Sequence, residues 1–375
     1  VSTQIVSPFG TATLVDLLPG VLTALGVAGE QSRLALDLPP RVAVLLIDGL
    51  GSQLLAAHAR HAPCLSELTP VPAALSAVFP STTAASLTSL GTGLPPGVHG
   101  VLGLTMRRPD GGLLSALHWD AKEVDPLAWQ PHRTAFERAA GAGVTAHAVG
   151  PRRFRGSGLN EAAFRGATPV GADSPGELAA ATVQVLATGR APALVYAYHG
   201  DLDATGHREG CRSLAWRLQL EHVDRLVEQI VAGLVPGTAL LVTADHGMVD
   251  VPAADRIDTD LRPELLAGVE LLAGEPRARY VHTVPGAAAD VLAVWREVLG
   301  PEWLVCSREE AVGWGWFGQT VADPNPARIG DVLAVSGGSG AVVSSSTEPV
   351  MSRLVGMHGG LTDAELSVPL LLAIR

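Results

Sequence analysis

An α/β fold with a mostly parallel central sheet flanked by helices is predicted by two features of the sequence. The first is a set of short apolar runs without polar alternation: Val42 to Ile47, Ala193 to Tyr198 and Ala239 to Val242. Runs of this kind mark strands buried on both faces, as in a parallel sheet. The second is what separates them. Stretches with helical spacing intervene, the longest from Ser213 to Leu234, so strand and helix alternate along the chain.

In chain order, Val42 to Ile47 is followed by Asp48-Gly49-Leu50-Gly51, which puts a carboxylate at the end of the first strand. Ser52 to Leu68 has helical spacing and supplies the first crossover. Ala77 to Phe79 is a short apolar run ending at Pro80. The hydroxyls of Ser81, Thr82 and Thr83 follow, and then a small-residue segment that reads as a helix and stops at Gly93. That order brings hydroxyls to a helix N-terminus, where unpaired N–H groups and the dipole favour an anion. The same hydroxyls also read as helix caps.

Leu94 to Gly100 has the composition of a turn. Val101 to Asp120 reads as a β-hairpin with Arg107 to Gly112 at its tip, Pro131 to Ala142 as a helix and Val144 to Val149 as a strand. Arg152 to Asp173, rich in Gly and Arg and without periodicity, reads as a surface loop. Ser174-Pro175 opens a helix by its N-cap serine and N1 proline. Ala193 to Tyr198 leads into His199-Gly200-Asp201-Leu202-Asp203-Ala204-Thr205-Gly206-His207. The helix from Ser213 to Leu234 is amphipathic, with Leu214, Leu218, His222, Leu226 and Ile230 assigned to its apolar face. Thr238 to Thr243 then ends in Ala244-Asp245-His246-Gly247-Met248.

Residues 262–345 differ in character. Strands at Val269 to Leu272, Arg277 to Thr283, Trp303 to Ser307 and Asp331 to Ser336, with a helix at Ala287 to Leu299, suggest a small α+β insert. It lies within a single catalytic domain expected to span 1–375. The chain returns to Met357-His358-Gly359 and closes with Ser367 to Ile374, a last core strand.

Composition narrows the class. The 375 residues are 47% hydrophobic and 17% charged, enough to build a large core. The net charge of −11, with Lys122 the sole lysine, argues against a nucleic-acid-binding surface, which needs clustered cations. Cys64, Cys211 and Cys306 are odd in number and widely spaced, so they form neither a disulfide framework nor a cysteine metal site. No apolar run reaches the ~18 residues of a membrane span, and Val1 to Ala12 has no basic-then-apolar leader pattern. The expectation is therefore a cytoplasmic protein. Nothing in the sequence indicates an oligomeric state.

Acids and imidazoles collect where an open parallel sheet binds ligands, beyond the carboxyl ends of its strands. Asp48, Asp203, His207, Asp245 and His246 all follow apolar runs, Thr83 stands at a helix start, and His358 is in a glycine turn. Each alone has an ordinary reading: Asp48 as a turn acid, Asp203 with His207 as helix-start chemistry, His358 as a loop histidine. Asp245-His246 resists one, because burying both unpaired at a strand end is costly. His99, His118 and His199 lack a partner pattern and read as structural. Together, Asp oxygens and His nitrogens suit two divalent ions such as zinc, and ions about 3.5–4 Å apart can hold the attacking and leaving oxygens of an in-line displacement.

These residues resemble the alkaline phosphatase superfamily, and within it the nucleotide pyrophosphatase/phosphodiesterase branch. The resemblance rests on Leu46-Ile47-Asp48-Gly49, Thr83 to Gly93, Asp203-Ala204-Thr205-Gly206-His207, Ala244-Asp245-His246-Gly247-Met248 and Met357-His358-Gly359. It covers the core from Val42 to Ile374 but not the insert. In the family the nucleophile stands ten residues before the Gly of a Thr-Gly pair, which selects Thr83, ten before Gly93. The resemblance implies one ion held by Asp203, His207 and His358. It implies a second held by Asp48, Asp245, His246 and the Thr83 oxygen. It further implies attack by Thr83 on phosphorus and a covalent phospho-threonine that is then hydrolysed.

The expected activity is that of a two-metal phosphoric ester hydrolase acting on a small-molecule phosphodiester or nucleotide pyrophosphate. Phe79-Pro80 before the threonine and Ala84-Ala85-Ser86 after it depart from the branch toward the phosphomonoesterases. A phosphomonoesterase or phosphonate hydrolase on the same ions is thus the alternative, and a catalytically silent metal-binding module is the alternative of another class. Arg107, Arg152, Arg153 and Arg155 are the candidates for a phosphate-binding arginine.

Overall fold

The computed structural model describes residues 7–188 and 190–375, so the first six residues of the Val1 to Ala12 segment lie outside the described residues. Its elements, in chain order, begin with α1 (Leu14–Ala24), β1 (Arg41–Ile47), β2 (Thr69–Pro70) and α2 (Thr83–Thr92). β3 (Thr145–Gly150), α3 (Gly158–Phe164), β4 (Thr168–Gly171), α4 (Pro175–Thr188) and β5 (Ala193–His199) follow. Next come α5 (Asp201–Glu209), α6 (Leu214–Gly233) and β6 (Thr238–Thr243). The chain then runs through β7 (Val269–Glu275), β8 (Ala278–Thr283), α7 (Ala288–Leu299), β9 (Trp303–Ser307), β10 (Val332–Ser336) and β11 (Leu370–Ile374).

A seven-stranded sheet in the order β2-β11-β6-β1-β5-β3-β4 forms the centre. β6, β1, β5, β3 and β4 are mutually parallel, and β11 runs antiparallel to β6. The fold is the α/β class with a mostly parallel sheet. Every residue of β6 and all of β1 after Arg41 are buried, as expected of strands covered on both faces. The register aligns three strand ends. Leu46 lies opposite Thr243 and Ile47 opposite His199, so β1, β5 and β6 end side by side. The Asp48 N–H continues the ladder onto the His199 carbonyl at 2.9 Å.

A second sheet, β7-β8-β10-β9, is antiparallel throughout. Its residues alternate between two cores, the period-two signature of a strand packed on both sides. Val281, Val332 and Ala334 face Trp295 of α7. Tyr280, Leu333 and Val335 join Phe79, Trp316 and Phe317. The Phe79 ring lies 5.0 Å from Trp316 and 5.4 Å from Phe317, which anchors the chain just before the hydroxyl-rich turn. Truncating such an aromatic to Ala typically costs about 3–5 kcal/mol.

Four local expectations are corrected. Ser52 to Leu68 is not one helix: His58 and the Ala62-Pro63 junction break it into Ser52–Ala57, Ala59–His61 and Pro63–Glu67. Arg152 to Asp173 is not all surface loop, because it holds α3 and β4, and α3 packs tightly against α2. A Cβ on Gly91 would stand 1.9 Å from the Ala163 carbonyl oxygen. Leu94 to Gly100 contains a helical turn, Pro96–His99. The buried stripe of α6 is Trp216, Leu220, Val223, Val227 and Ile230, with Leu226 beside it, whereas Leu214 and Leu218 are exposed. Steps of four overshoot one turn by about 40° each, so a row of i+4 positions drifts off any one face.

Candidate active site

The aligned ends of β1, β5 and β6 deliver the first carboxylates. Asp48 follows β1 directly, Asp245 follows β6 after one residue, and Asp203 sits in the first turn of α5, just past β5. Close backbone passage brings the β1 and β6 turns together. Gly51 and Gly247 touch, and a Cβ on Gly247 would stand 2.0 Å from the Ala364 carbonyl oxygen. Gly49, at φ 75°, makes the sharp turn that keeps Asp48 at the strand end.

Three imidazoles complete the ring, and all are oriented alike. Nδ1 of His207 faces the Gly356 carbonyl at 2.8 Å, Nδ1 of His246 that of Gly247 at 2.9 Å, and Nδ1 of His358 that of Ser81 at 2.8 Å. An Nδ1–H donating to a carbonyl fixes the tautomer and turns a basic Nε2 toward the site. The Nε2 atoms then converge on the acids. His207 lies 3.3 Å and His358 3.9 Å from Asp203, while His246 lies 3.4 Å from Asp48 and 3.5 Å from Asp245. The His246 and His358 rings stack with centroids 3.6 Å apart.

Thr83 is the first residue of α2, and its hydroxyl is 3.1 Å from His246 Nε2. The neighbouring hydroxyls do other work. Ser81 donates to the Gly360 carbonyl at 2.8 Å and accepts from the Gly359 N–H, tying the turn to the loop that carries His358. Thr82 is the N-cap residue but makes no side-chain cap bond, contrary to the capping expectation. Ala84, Ala85 and Ser86 are wholly buried and are not among the cavity walls.

Electrostatically the ring is suited to cations. Asp48 Oδ1, Asp203 Oδ1 and Asp245 Oδ2 are buried with no hydrogen-bond partner. Burial, then repulsion from Asp48, pushes Asp203 up to about 8; burial and Asp203 push Asp245 up to about 7. Burial and Asp245 likewise raise Asp48, although a hydrogen bond donated by Tyr198 to its Oδ2 opposes the rise. Burial lowers His246 to about 4 and His358 well below the usual range, so both are neutral, the ligating form. Ligand atoms of Asp203, His207 and His358 lie within 4.8 Å of one another, as do those of Asp48, Asp203 and His246. Each group could hold a divalent ion; Asp203 belongs to both, and Asp245 is in neither.

The ring floors a cavity of about 1020 Å³ whose walls include Leu117, Phe154, Leu159 and Tyr198. Of the arginine candidates, Arg152, Arg153 and Arg155 line it and Arg107 does not. Arg107 pairs with Glu270 at 3.0 Å, Arg152 with Asp173 at 2.6 Å, and Arg153 lies over the Phe154 ring. His99 is buried against Ser89 at 2.9 Å, His199 faces Gln219, and His118 lies at the cavity wall. Sequence reasoning missed Tyr198 and Glu275. Tyr198 counted only as an apolar strand residue, although its place at the end of β5, beside Asp48, was the available signal. Glu275 ends a strand of the second sheet and carried no motif.

The family described as type I phosphodiesterase / nucleotide pyrophosphatase matches residues 42–361. No curated protein sequence matches the chain significantly. Among solved structures, murine ectonucleotide pyrophosphatase / phosphodiesterase 5 is 18% identical with a TM-score of 0.68, over 89% of this chain and 88% of that one. An inactive variant of the same murine protein, in complex with AMP, gives a TM-score of 0.69 at 18% identity, over 90% of this chain and 88% of that one. Phosphonoacetate hydrolase from Sinorhizobium meliloti 1021, in complex with phosphonoformate, is 22% identical with a TM-score of 0.69, over 89% of this chain and 90% of that one.

Proposed function

The chain belongs to the type I phosphodiesterase / nucleotide pyrophosphatase family of hydrolases, and from that premise we propose that it cleaves small-molecule phosphodiesters or nucleotide pyrophosphates through a phospho-threonine at Thr83. The observation that carries this reading is the Thr83 hydroxyl at the first position of α2, 3.1 Å from His246 within the ring of acids and imidazoles. Asp203, His207 and His358 would hold one divalent ion, and Asp48, Asp245, His246 and the Thr83 oxygen a second, zinc by ligand type. When bound, such ions lower the pKa of a coordinated hydroxyl and offset the charge of the phosphoryl group.

Thr83 Oγ attacks phosphorus, the bond from phosphorus to the leaving oxygen breaks, and the leaving group departs. Water then attacks the phosphorus of phospho-Thr83, the bond from phosphorus to Oγ breaks, a proton from that water restores the hydroxyl, and the phosphate product leaves. The N–H groups in the first turn of α2 have no partner within the helix and would favour negative charge at the transferred group. The apolar wall formed by Leu117, Phe154 and Leu159 supports a diester, since a diester brings a second substituent that needs a pocket. Relatives in the fold also include a phosphonate hydrolase, which keeps a monoester or phosphonate as the second reading. Turnover of bis-p-nitrophenyl phosphate against p-nitrophenyl phosphate by the zinc-loaded protein separates the two. Faster turnover of the diester is expected, and a preference for the monoester overturns the first reading.

A further inference from the structure

The segment that follows β3 brings three arginines to one side of the cavity. The chain turns there through a short 3-10 helix, Arg152–Phe154, and Arg152, Arg153, Phe154 and Arg155 all line the cavity. A relay of contacts relates them to the ring of acids. The Tyr198 hydroxyl bonds Asp48, the Tyr198 ring meets Phe154 edge-on at 5.9 Å, and the Arg153 guanidinium lies 4.6 Å over the Phe154 ring. Two aromatic rings thus link that cation to the acid at the end of β1. Leu159, a few residues further on, belongs to the same wall.

The three arginines are not equivalent. Among the described residues Arg152 is spent on Asp173 and Glu177, at 2.6 and 3.1 Å, whereas Arg153 and Arg155 make no ion pair. Asp173 lies within the influence of Arg153 but takes its hydrogen bonds from the Arg152 backbone N–H and guanidinium. Stacking on Phe154 orients the Arg153 fork without using its N–H donors. Two guanidinium groups beside an apolar wall suit a ligand that is apolar along its length and anionic at its end, because the fork matches carboxylate or phosphate oxygens. We propose that Arg153 and Arg155 form a second anion subsite, which binds a carboxylate or phosphate at the far end of the substituent that occupies the cavity. The proposal rests on the reading of this cavity as a phosphoester site, and it narrows the substrate to esters with two separated anionic groups.

The test uses ligands with no ester oxygen to leave, so that binding is read apart from turnover. Alkane-α,ω-diphosphonates with spacers of about two to eight carbons are titrated by calorimetry into the metal-loaded protein. Alkylphosphonates and ω-carboxyalkylphosphonates of matching length are titrated beside them. With one phosphonate on the ring, the second anion should raise affinity about tenfold or more over the alkylphosphonate, at the spacer length that reaches the arginines. A gain with both second anions assigns a general anion subsite, and a gain with the diphosphonates alone assigns a phosphate subsite. Arg153→Gln combined with Arg155→Gln should bring the ratio near one. Both side chains are exposed, so the melting temperature of this variant should stay near that of wild type. No gain at any spacer length overturns the proposal, and so does a gain that the double variant keeps. A wild type that shows the gain but turns over neither nitrophenyl ester defeats the functional reading alone, and the double variant still decides the role of the two arginines.

Discussion

Arg277 and Glu365 face each other with no solvent access to either, the guanidinium nitrogens 2.7 and 2.9 Å from the two carboxylate oxygens. The pair joins the second sheet to the loop that carries His358, because Glu365 also accepts the Gly360 N–H at 2.8 Å. Removing one partner leaves a buried charge uncompensated, at a cost of about 3–5 kcal/mol. Arg277→Met should therefore lower the urea midpoint sharply. Burial alone would raise the Glu365 pKa, but Arg277, the Thr362 hydroxyl and the Gly360 N–H outweigh it and hold it below the ordinary 4.5. The stabilisation is thus complete above that ordinary value and lost as pH falls through the lower folded value. Glu365→Gln should flatten this part of the acid limb in a stability titration.

Thr83→Ala should lower turnover of bis-p-nitrophenyl phosphate by roughly 10³-fold or more, since the covalent route is lost. Metal content by elemental analysis should not change, because the acids and imidazoles remain. Equal activity in the variant would remove Thr83 as the nucleophile.

Tyr198→Phe keeps the edge contact with Phe154, at 5.9 Å between centroids, and deletes the hydroxyl that bonds Asp48. Loss of such a partner behind a ligand typically weakens metal affinity about 10- to 100-fold. Competition against a chromophoric chelator measures this directly. Unchanged affinity would mean that the hydroxyl does not position Asp48 for an ion.

Gly247→Ala forces a Cβ to within 2.0 Å of the Ala364 carbonyl oxygen, and both groups are backbone-anchored. Overpacking of this kind costs about 1–3 kcal/mol. Because the same turn carries Asp245 and His246, the variant should lose metal on dialysis as well as melting early.

His99 is buried between Ser89 and the Val101 N–H, and burial lowers its pKa to about 3 from an ordinary 6.5. Below 6.5 the unfolded chain takes up a proton that the folded chain refuses, so stability falls as pH falls. The slope is about 1.4 kcal/mol per pH unit and continues down toward pH 3. His99→Gln should reduce that slope in denaturation series between pH 6 and 4 (roughly the accessible window).

The legible parts of this molecule are those written as local punctuation. An apolar run followed by Asp48-Gly49, or by Asp245-His246-Gly247, announces both a strand and what stands at its end, because the end of a buried strand is where the chain must turn. The spacing of Asp203 and His207 is likewise local, one turn of α5. What stays hidden depends on partners distant in sequence. Spacing alone misplaces Leu214 and Leu218, because a helix face is chosen by what packs on it. The contact of Gly91 with Ala163 of α3 likewise joins residues far apart in sequence. Tyr198 matters through Asp48, which is far away along the chain.

Both sheets contribute to the cavity, together with the segments that carry Leu117, Phe154 and Leu159. The acids that would bind ions hang from the parallel sheet, whereas Glu275, Arg279 and the Glu348 segment come from or attach to the antiparallel one. The apolar wall of Leu117, Phe154 and Leu159 thus stands on stretches of chain separate from those that carry Asp48, Thr83 and Asp245. On the proposed reading, substitutions in that wall would change which ester is admitted and leave the reacting groups in place.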